Sequence, residues 1–238
     1  MKVLALIESP DHVCYRYRVE AFAWALAERG LLLESAPLNR GTLARLARFR
    51  DAGQADVVIL QRKLLPLWQL QLLRRAARRL IYDVDDSLFQ RDSYNEKGPD
   101  SWVRLSHFWA TLYASDAVTV GNDYLNRRAG AYIDSSRVHV MPTCVETEKY
   151  PTAEHRRRRG DARLVWIGQR STLPSIRCAS AQLQAAAARL PGLSLRVICD
   201  RYPEVPGLKT VPRPWCSATE TSELIQGDIG INWLPNDT

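Results

Sequence analysis

The sequence predicts an α/β protein made of two doubly wound parallel-sheet units, the second of them incomplete, and three observations carry that prediction. Short apolar runs alternate with longer stretches of helical period, the signature of βαβ units. The alternation is interrupted once, between Pro142 and Asp161, by a stretch holding Pro151, the run His155 to Arg159 and Gly160, and then restarts. The length, 238 residues, amounts to roughly one and a half typical domains.

The first unit opens with Val3 to Ile7, a continuous apolar run that reads as a buried strand, followed by a loop from Glu8 to Cys14. Tyr15 to Arg29 reads as one helix, with Val19, Phe22, Ala23, Leu26 and Ala27 on one face and Gly30 as its stop. A strand from Leu31 to Ser35, a helix over Thr42 to Arg50 and a strand from Asp56 to Gln61 follow. Pro66 suits the first turn of a helix reaching Arg79, and Leu80 to Asp83 is the next strand. After the polar loop Asp92 to Asp100 come a helix over Trp102 to Ala114, a strand over Ala117 to Val120, a helix opened by Asn122 or Asp123, and a strand from Val138 to Met141.

The second unit begins with Arg163 to Ile167 as a strand and continues with one helix from Leu173 to Leu190, ended by Pro191 and Gly192. Strands over Leu195 to Cys199, Lys209 to Val211 and Asp228 to Ile231 surround a helix over Thr219 to Ile225. The series stops at Thr238 with about four strands and two helices, the pattern expected of a chain truncated inside its second unit.

Composition narrows the function classes. With 46% hydrophobic and 25% charged residues the chain is globular, not disordered or collagen-like. No uncharged apolar run is long enough to span a membrane, and the apolar stretch after Lys2 is too short for a signal-peptide core. Cys14, Cys144, Cys178, Cys199 and Cys216 are odd in number and scattered, which offers neither a disulfide framework nor a zinc site. A cytoplasmic protein is expected. The net charge is +7, and of 33 basic residues only five are lysine. Arginine favours planar, bidentate partners such as phosphate, so nucleic acid, an anionic membrane surface or a phosphorylated substrate all fit, as does a mere compositional bias.

In open parallel sheets ligands bind beyond the carboxyl ends of the strands, so the loops there are the candidates. The Glu8 to Arg18 loop carries His12, Arg16 and Arg18 to a helix start but lacks a GxGxxG fingerprint; Arg16 and Arg18 serve equally well as surface charge. Asp83, Asp85 and Asp86 could bind a divalent metal or place a general base, or could cap a turn or pair with arginines. Gly168, Gln169, Arg170 and Ser171 run through a glycine turn into a helix, a place for a diphosphate or simply a helix cap.

In order, Cys-Tyr-Arg-Tyr-Arg in the first loop, Leu-Gln-Arg-Lys-Leu-Leu-Pro, Ile-Tyr-Asp-Val-Asp-Asp, Ala-Val-Thr-Val-Gly-Asn-Asp-Tyr-Leu, Val-Met-Pro-Thr-Cys-Val-Glu, Val-Trp-Ile-Gly-Gln and Asp-Ile-Gly-Ile-Asn-Trp-Leu-Pro resemble the glycosyltransferase family 4 branch of the GT-B enzymes across essentially the whole chain. The resemblance implies a GT-B-like fold: an N-terminal Rossmann-like acceptor-side domain over residues 1–142, a linker over 143–161, and a partial nucleotide-sugar domain over 162–238. It implies Gly168, Gln169, Arg170 and Ser171 at the donor diphosphate and Asp200 near the nucleoside. Asp85 and Asp86, as catalytic candidates, would line the acceptor side with His12, Arg16, Arg18 and Asn122. It further implies a retaining transfer with no metal and no cofactor beyond the nucleotide-sugar substrate, in which cations and backbone N–H groups stabilise charge building on the leaving diphosphate. The family's acidic donor-sugar motif lies past the Asp228 to Leu234 strand, beyond Thr238.

The expectation is therefore a glycosyltransferase with a nucleotide-sugar donor, an unassigned acceptor and no specific nucleic acid partner, working in the cytoplasm with peripheral contact to the anionic inner face of a membrane. A non-catalytic basic module for nucleic acid or anionic surfaces, resting on Arg156 to Arg159, is the alternative, and an epimerase-like sugar-nucleotide enzyme is a third reading.

Overall fold

The computed structural model describes residues 1–38, 41–155 and 161–233. The Arg156 to Arg159 run lies outside the described residues, as does the end of the chain from Leu234. The chain divides into two compact units, Met1–Val145 and Glu146–Thr238.

Unit 1 contains β1 (Lys2–Ile7), α1 (Val13–Arg18), α2 (Ala23–Glu28), β2 (Leu32–Pro37), α3 (Thr42–Ala52), β3 (Val57–Gln61), α4 (Leu67–Ala76), β4 (Leu80–Val84), α5 (Trp102–Ala114), β5 (Ala117–Val120), α6 (Asp123–Gly130) and β6 (Val138–Val140). Its strands form one parallel sheet in the order β2-β1-β3-β4-β5-β6. Central strands buried on both faces have no reason to alternate, which is why they read as apolar runs. Leu4, Leu6, Val58, Leu60, Leu80, Tyr82, Val118 and Val120 join Phe49, Leu73, Phe108, Leu112 and Leu125 of the helices in one core. On β1 the alternate residues Ala5 and Ile7 instead pack with Tyr15 and Val19 in a second, smaller core.

The single helix expected over Tyr15 to Arg29 is two. It breaks at Val19, where φ is −127° and ψ is −60°, passes through a 3₁₀ turn at Glu20–Phe22 and resumes as α2. Tertiary contacts win over local periodicity here, because Val19 is buried against β1 and the adjacent Arg18 is held by an ion pair. Of the expected apolar face only Val19 is fully buried, and Ala27 is exposed. Gly30, at φ +72°, does close the segment, with its N–H on the Ala27 carbonyl. Pro66 stands one residue before α4 as its N-cap, and that helix ends at Ala76, short of Arg79.

Unit 2 contains β7 (Asp161–Ile167), α7 (Pro174–Cys178), α8 (Ser180–Arg189), β8 (Gly192–Ile198), β9 (Lys209–Arg213), α9 (Glu220–Leu224) and β10 (Ile229–Gly230), with a parallel sheet in the order β10-β7-β8-β9. The expected helix over Leu173 to Leu190 is also divided, at Ala179, which sits in the core with Ile176 and Leu183 and has φ −82° and ψ −1°. Leu190, at φ −132° and ψ 85°, has already left the helical region, which a following proline disfavours, so the helix stops before Pro191. Gly192 opens β8 opposite Asp161 instead of ending the helix. Pro212 is tolerated because β9 is an edge strand.

Candidate functional site

Each sheet has a topological switch point, where successive connections leave in opposite directions and a crevice opens beyond the strand ends. In unit 1 it lies between β1 and β3; in unit 2 it lies between β7 and β10.

At the first switch point the loop after β1 meets Arg62 and Lys63, which follow β3, and the carboxylates that end and follow β4. Arg62 has φ +56°, the left-handed region, and its N–H donates to the Asp83 carbonyl at 3.0 Å. That turn sends its guanidinium to Asp85 at 2.6 Å and to Asp86 at 3.4 Å. Its burial alone would weaken the charge, but Asp85, Cys14 and Asp86 hold the guanidinium firmly protonated. Asp83, near the end of β4, is met by Arg18 with Nε at 3.0 Å and Nη2 at 2.6 Å, both side chains almost fully buried. Thr119 also donates to Asp83, at 2.7 Å, and Arg18 reaches on to the Met141 carbonyl at 2.7 Å. The three carboxylates thus divide between two arginines, Asp83 on Arg18 and Asp85 with Asp86 on Arg62, and Asp86 is two-thirds exposed, with its Oδ1 accepting from the Ser87 N–H.

His12 N-caps α1 by accepting the Cys14 N–H on Nδ1 at 3.2 Å. Burial and then the nearby Arg62 hold its pKa below the ordinary histidine value, which keeps Nδ1 free of a proton for that bond. Cys14 is no nucleophile: burial first, then Asp85, pushes its thiol up to about 12. Glu8 pairs with Lys63 at 3.0 Å; burial opposes its ionisation, but Lys63 prevails and holds its pKa low. Arg16 is half-buried, its guanidinium 5.3 Å from the Tyr17 ring centroid. Asn122 caps α6 through the Leu125 N–H at 2.9 Å.

At the second switch point Gly168 follows β7 directly, its N–H donating to the Ile198 carbonyl at 3.2 Å. A Cβ here would stand 2.5 Å from the Trp166 ring and 2.7 Å from the Thr172 hydroxyl, so only glycine fits. The Thr172 hydroxyl accepts from the Gln169 N–H at 3.0 Å, so threonine, and not Ser171, closes the turn. Gln169, Arg170 and Ser171 are exposed, and no ion-pair partner stands beside Arg170 among the described residues. Asp200, after β8, is also exposed and accepts from the Cys199 thiol at 3.2 Å.

The structure therefore brings His12, Asp85 and Asp86 together around Arg62, commits Arg18 to Asp83, and gathers Gly168 to Ser171 in the other unit. Asp83 pairs with an arginine, one of the roles open to it from the sequence, whereas Arg62 and Lys63 were not singled out there as site residues, although Arg-Lys directly after a buried strand is an available signal.

No family model and no curated protein matches the chain. Solved structures do match. UDP-GlcNAc 2-epimerase from Neisseria meningitidis bound to UDP-GlcNAc aligns with a TM-score of 0.61 at 10% identity, over 97% of this chain and 77% of its own. The lipopolysaccharide outer core galactosyltransferase WaaB, in its apo form, aligns at 0.55 and 11% identity over 96% and 71%. Anabaena Alr3699/HepE in complex with UDP and glucose aligns at 0.51 and 15% identity, over 83% of this chain but only 60% of that one. The two parallel sheets, their strand orders and these alignments together give the chain a GT-B-like α/β fold of two Rossmann-like units.

Proposed function

We propose that the chain belongs to a nucleotide-sugar-dependent glycosyltransferase of the family 4 type, retaining and metal-independent, with unit 2 on the donor side and unit 1 on the acceptor side. The observation that carries this reading is the switch point of the second sheet, where a turn that admits no side chain at Gly168 adjoins an exposed Arg170 with no ion-pair partner among the described residues. The UDP and glucose held by the Anabaena structure and the galactosyltransferase activity in the name of WaaB support it. In this reading Gly168 lets the backbone approach a diphosphate, Gln169 and Ser171 present polar groups to it, and Arg170 stabilises the charge that builds as the glycosidic bond breaks. Asp200 lies toward the nucleoside. Asp86 accepts the hydrogen bond of the incoming hydroxyl, while Asp85 and Arg62 fix the wall behind it. His12, Arg16 and Asn122 border that side, and Arg18 acts as a positioning residue through Asp83. The arginine excess suits work in the cytoplasm against an anionic membrane face.

The test is calorimetric titration of the chain with UDP, GDP and ADP, followed by incubation with the corresponding radiolabelled nucleotide-sugars. One nucleotide is expected to bind in the wild type and to be lost in Gly168→Ala; no binding to any, with neither transfer nor donor hydrolysis, refutes the proposal. A sugar-nucleotide epimerase is the second reading, favoured by the TM-score of 0.61 to the Neisseria enzyme. It is distinguished by interconversion of free donor sugar without an acceptor.

A further inference from the structure

We propose that unit 1 docks on an anionic membrane through its α3–α4–α5 layer, with an apolar crest entering the lipid interface and arginines meeting the headgroups. The three helices lie side by side on one face of the sheet: Phe49, Leu73 and Phe108 share one core, and α4 packs on both neighbours. Each links two strands of the same parallel sheet, so all three run antiparallel to the strands and begin at the same edge. At that edge Leu43, the second residue of α3, is 83% exposed. Leu67 and Trp68, the first two of α4, are half exposed, and Trp102 and Val103, the first two of α5, are 77% and 66% exposed. No acidic residue stands in the first turn of any of the three, although a helix favours one there. Large apolar side chains held in water at three adjacent helix starts add nothing to the core, and such a patch marks a surface that is covered in use.

Charge selects what covers it. Asp51, Asp56 and Asp116 are each answered by an arginine, Arg48 at 3.1 Å, Arg78 at 3.3 Å and Arg74 at 3.1 Å. Arg50, Arg75 and Arg79 are exposed and have no ion-pair partner among the described residues. On α4 the exposed stripe Trp68, Leu72 and Arg75 runs from the crest toward these cations. The loop before α5 and its first turn add no net charge, with Asp92, Glu96 and Asp100 against Arg91, Lys97 and Arg104. Indole and aliphatic side chains beside unbalanced arginines are the composition of helices that lie in a membrane interface. Nucleic acid would meet the arginines and leave Leu43, Leu67 and Val103 in water. The surface gives a location to the anionic membrane contact proposed above, and in that it rests on that reading; the binding itself needs neither donor nor acceptor.

Cosedimentation of the full chain with vesicles of phosphatidylglycerol and phosphatidylcholine, and with phosphatidylcholine alone, tests this. Binding to the anionic vesicles alone is expected, and it should weaken with salt. Leu67→Ala/Trp68→Ala should weaken it roughly tenfold, and Arg50→Gln, Arg75→Gln and Arg79→Gln roughly fivefold each. All five residues are exposed, so circular dichroism should show every variant folded. No binding to anionic vesicles, equal binding to neutral ones, binding that both sets of substitutions leave unchanged, or binding of RNA instead of vesicles through the same arginines overturns the proposal. Vesicle binding by a chain that binds no nucleotide would uphold the surface and refute the transferase.

Discussion

The two switch points share a topology and differ in electrostatics. In unit 1 the charges face one another: Arg18 with Asp83, Arg62 with Asp85, Lys63 with Glu8. In unit 2 the Gly168 turn adjoins an exposed Arg170 that has no ion-pair partner among the described residues. A compensated network has little charge left for a ligand and serves as a rigid wall; an exposed cation beside a turn that brings the backbone close suits an anion. Position in a Rossmann-like sheet therefore says where a ligand can go, and local charge balance says what charge that ligand can carry.

The largest expected effect comes from unbalancing the compensated side. Asp83→Ala strands a buried Arg18 and is expected to lower stability by about 3–5 kcal/mol in urea unfolding of the transition that reports on unit 1, with Arg18→Met/Asp83→Leu recovering much of it. A loss below about 1 kcal/mol would mean that water already reaches the pair. Gly168→Ala comes next: the methyl carbon collides with Trp166 and Thr172, costing about 1–3 kcal/mol in unit 2 and abolishing nucleotide binding. Arg170→Ala separates function from fold. It should change stability by less than about 0.5 kcal/mol while weakening nucleotide affinity roughly tenfold, and equal affinity would erase the contrast between the two crevices.

The smallest effect is one of pH. His12 holds a lower pKa in the folded chain than its ordinary 6.5, so the unfolded chain takes the proton first and stability falls as pH drops below about 6.5. The loss should stay under about 1 kcal/mol, the worth of one helix cap, and vanish in His12→Asn. Unit 2 responds in another window. Asp228, held by the Arg163 side chain, has its pKa lowered to about 2, so its contribution is present at neutral pH and is lost only as pH falls toward that value. Thermal melts at pH 7, 5.5 and 3 should therefore register the His12 step first.

Most strands were legible because a strand buried on both faces must be apolar throughout; Val3 to Ile7 and Val57 to Leu60 admit few other readings. The strand ends were not, since Leu32–Pro37 and Gly192–Ile198 extend as far as their neighbours offer hydrogen bonds. The breaks at Val19 and Ala179 carry no proline or glycine and follow from packing on the sheet. The Gly168 turn was visible, since glycine between a strand and a helix has few other uses. The Arg18–Asp83 and Arg62–Asp85 pairs were not. Their partners stand 65 and 23 residues apart, and the sequence holds many other arginines and carboxylates that could have met.

By itself, then, the sequence determined the α/β class, the interruption between two βαβ series and the loops where a ligand could bind, because burial and backbone conformation leave their marks on local residue choice. Which strand neighbours which was decided only in three dimensions, and with it which arginine neutralises which aspartate and whether Arg170 meets an ion-pair partner. Charge pairing acts over a few ångströms of space, and only the folded sheet brings residues distant along the chain within that reach.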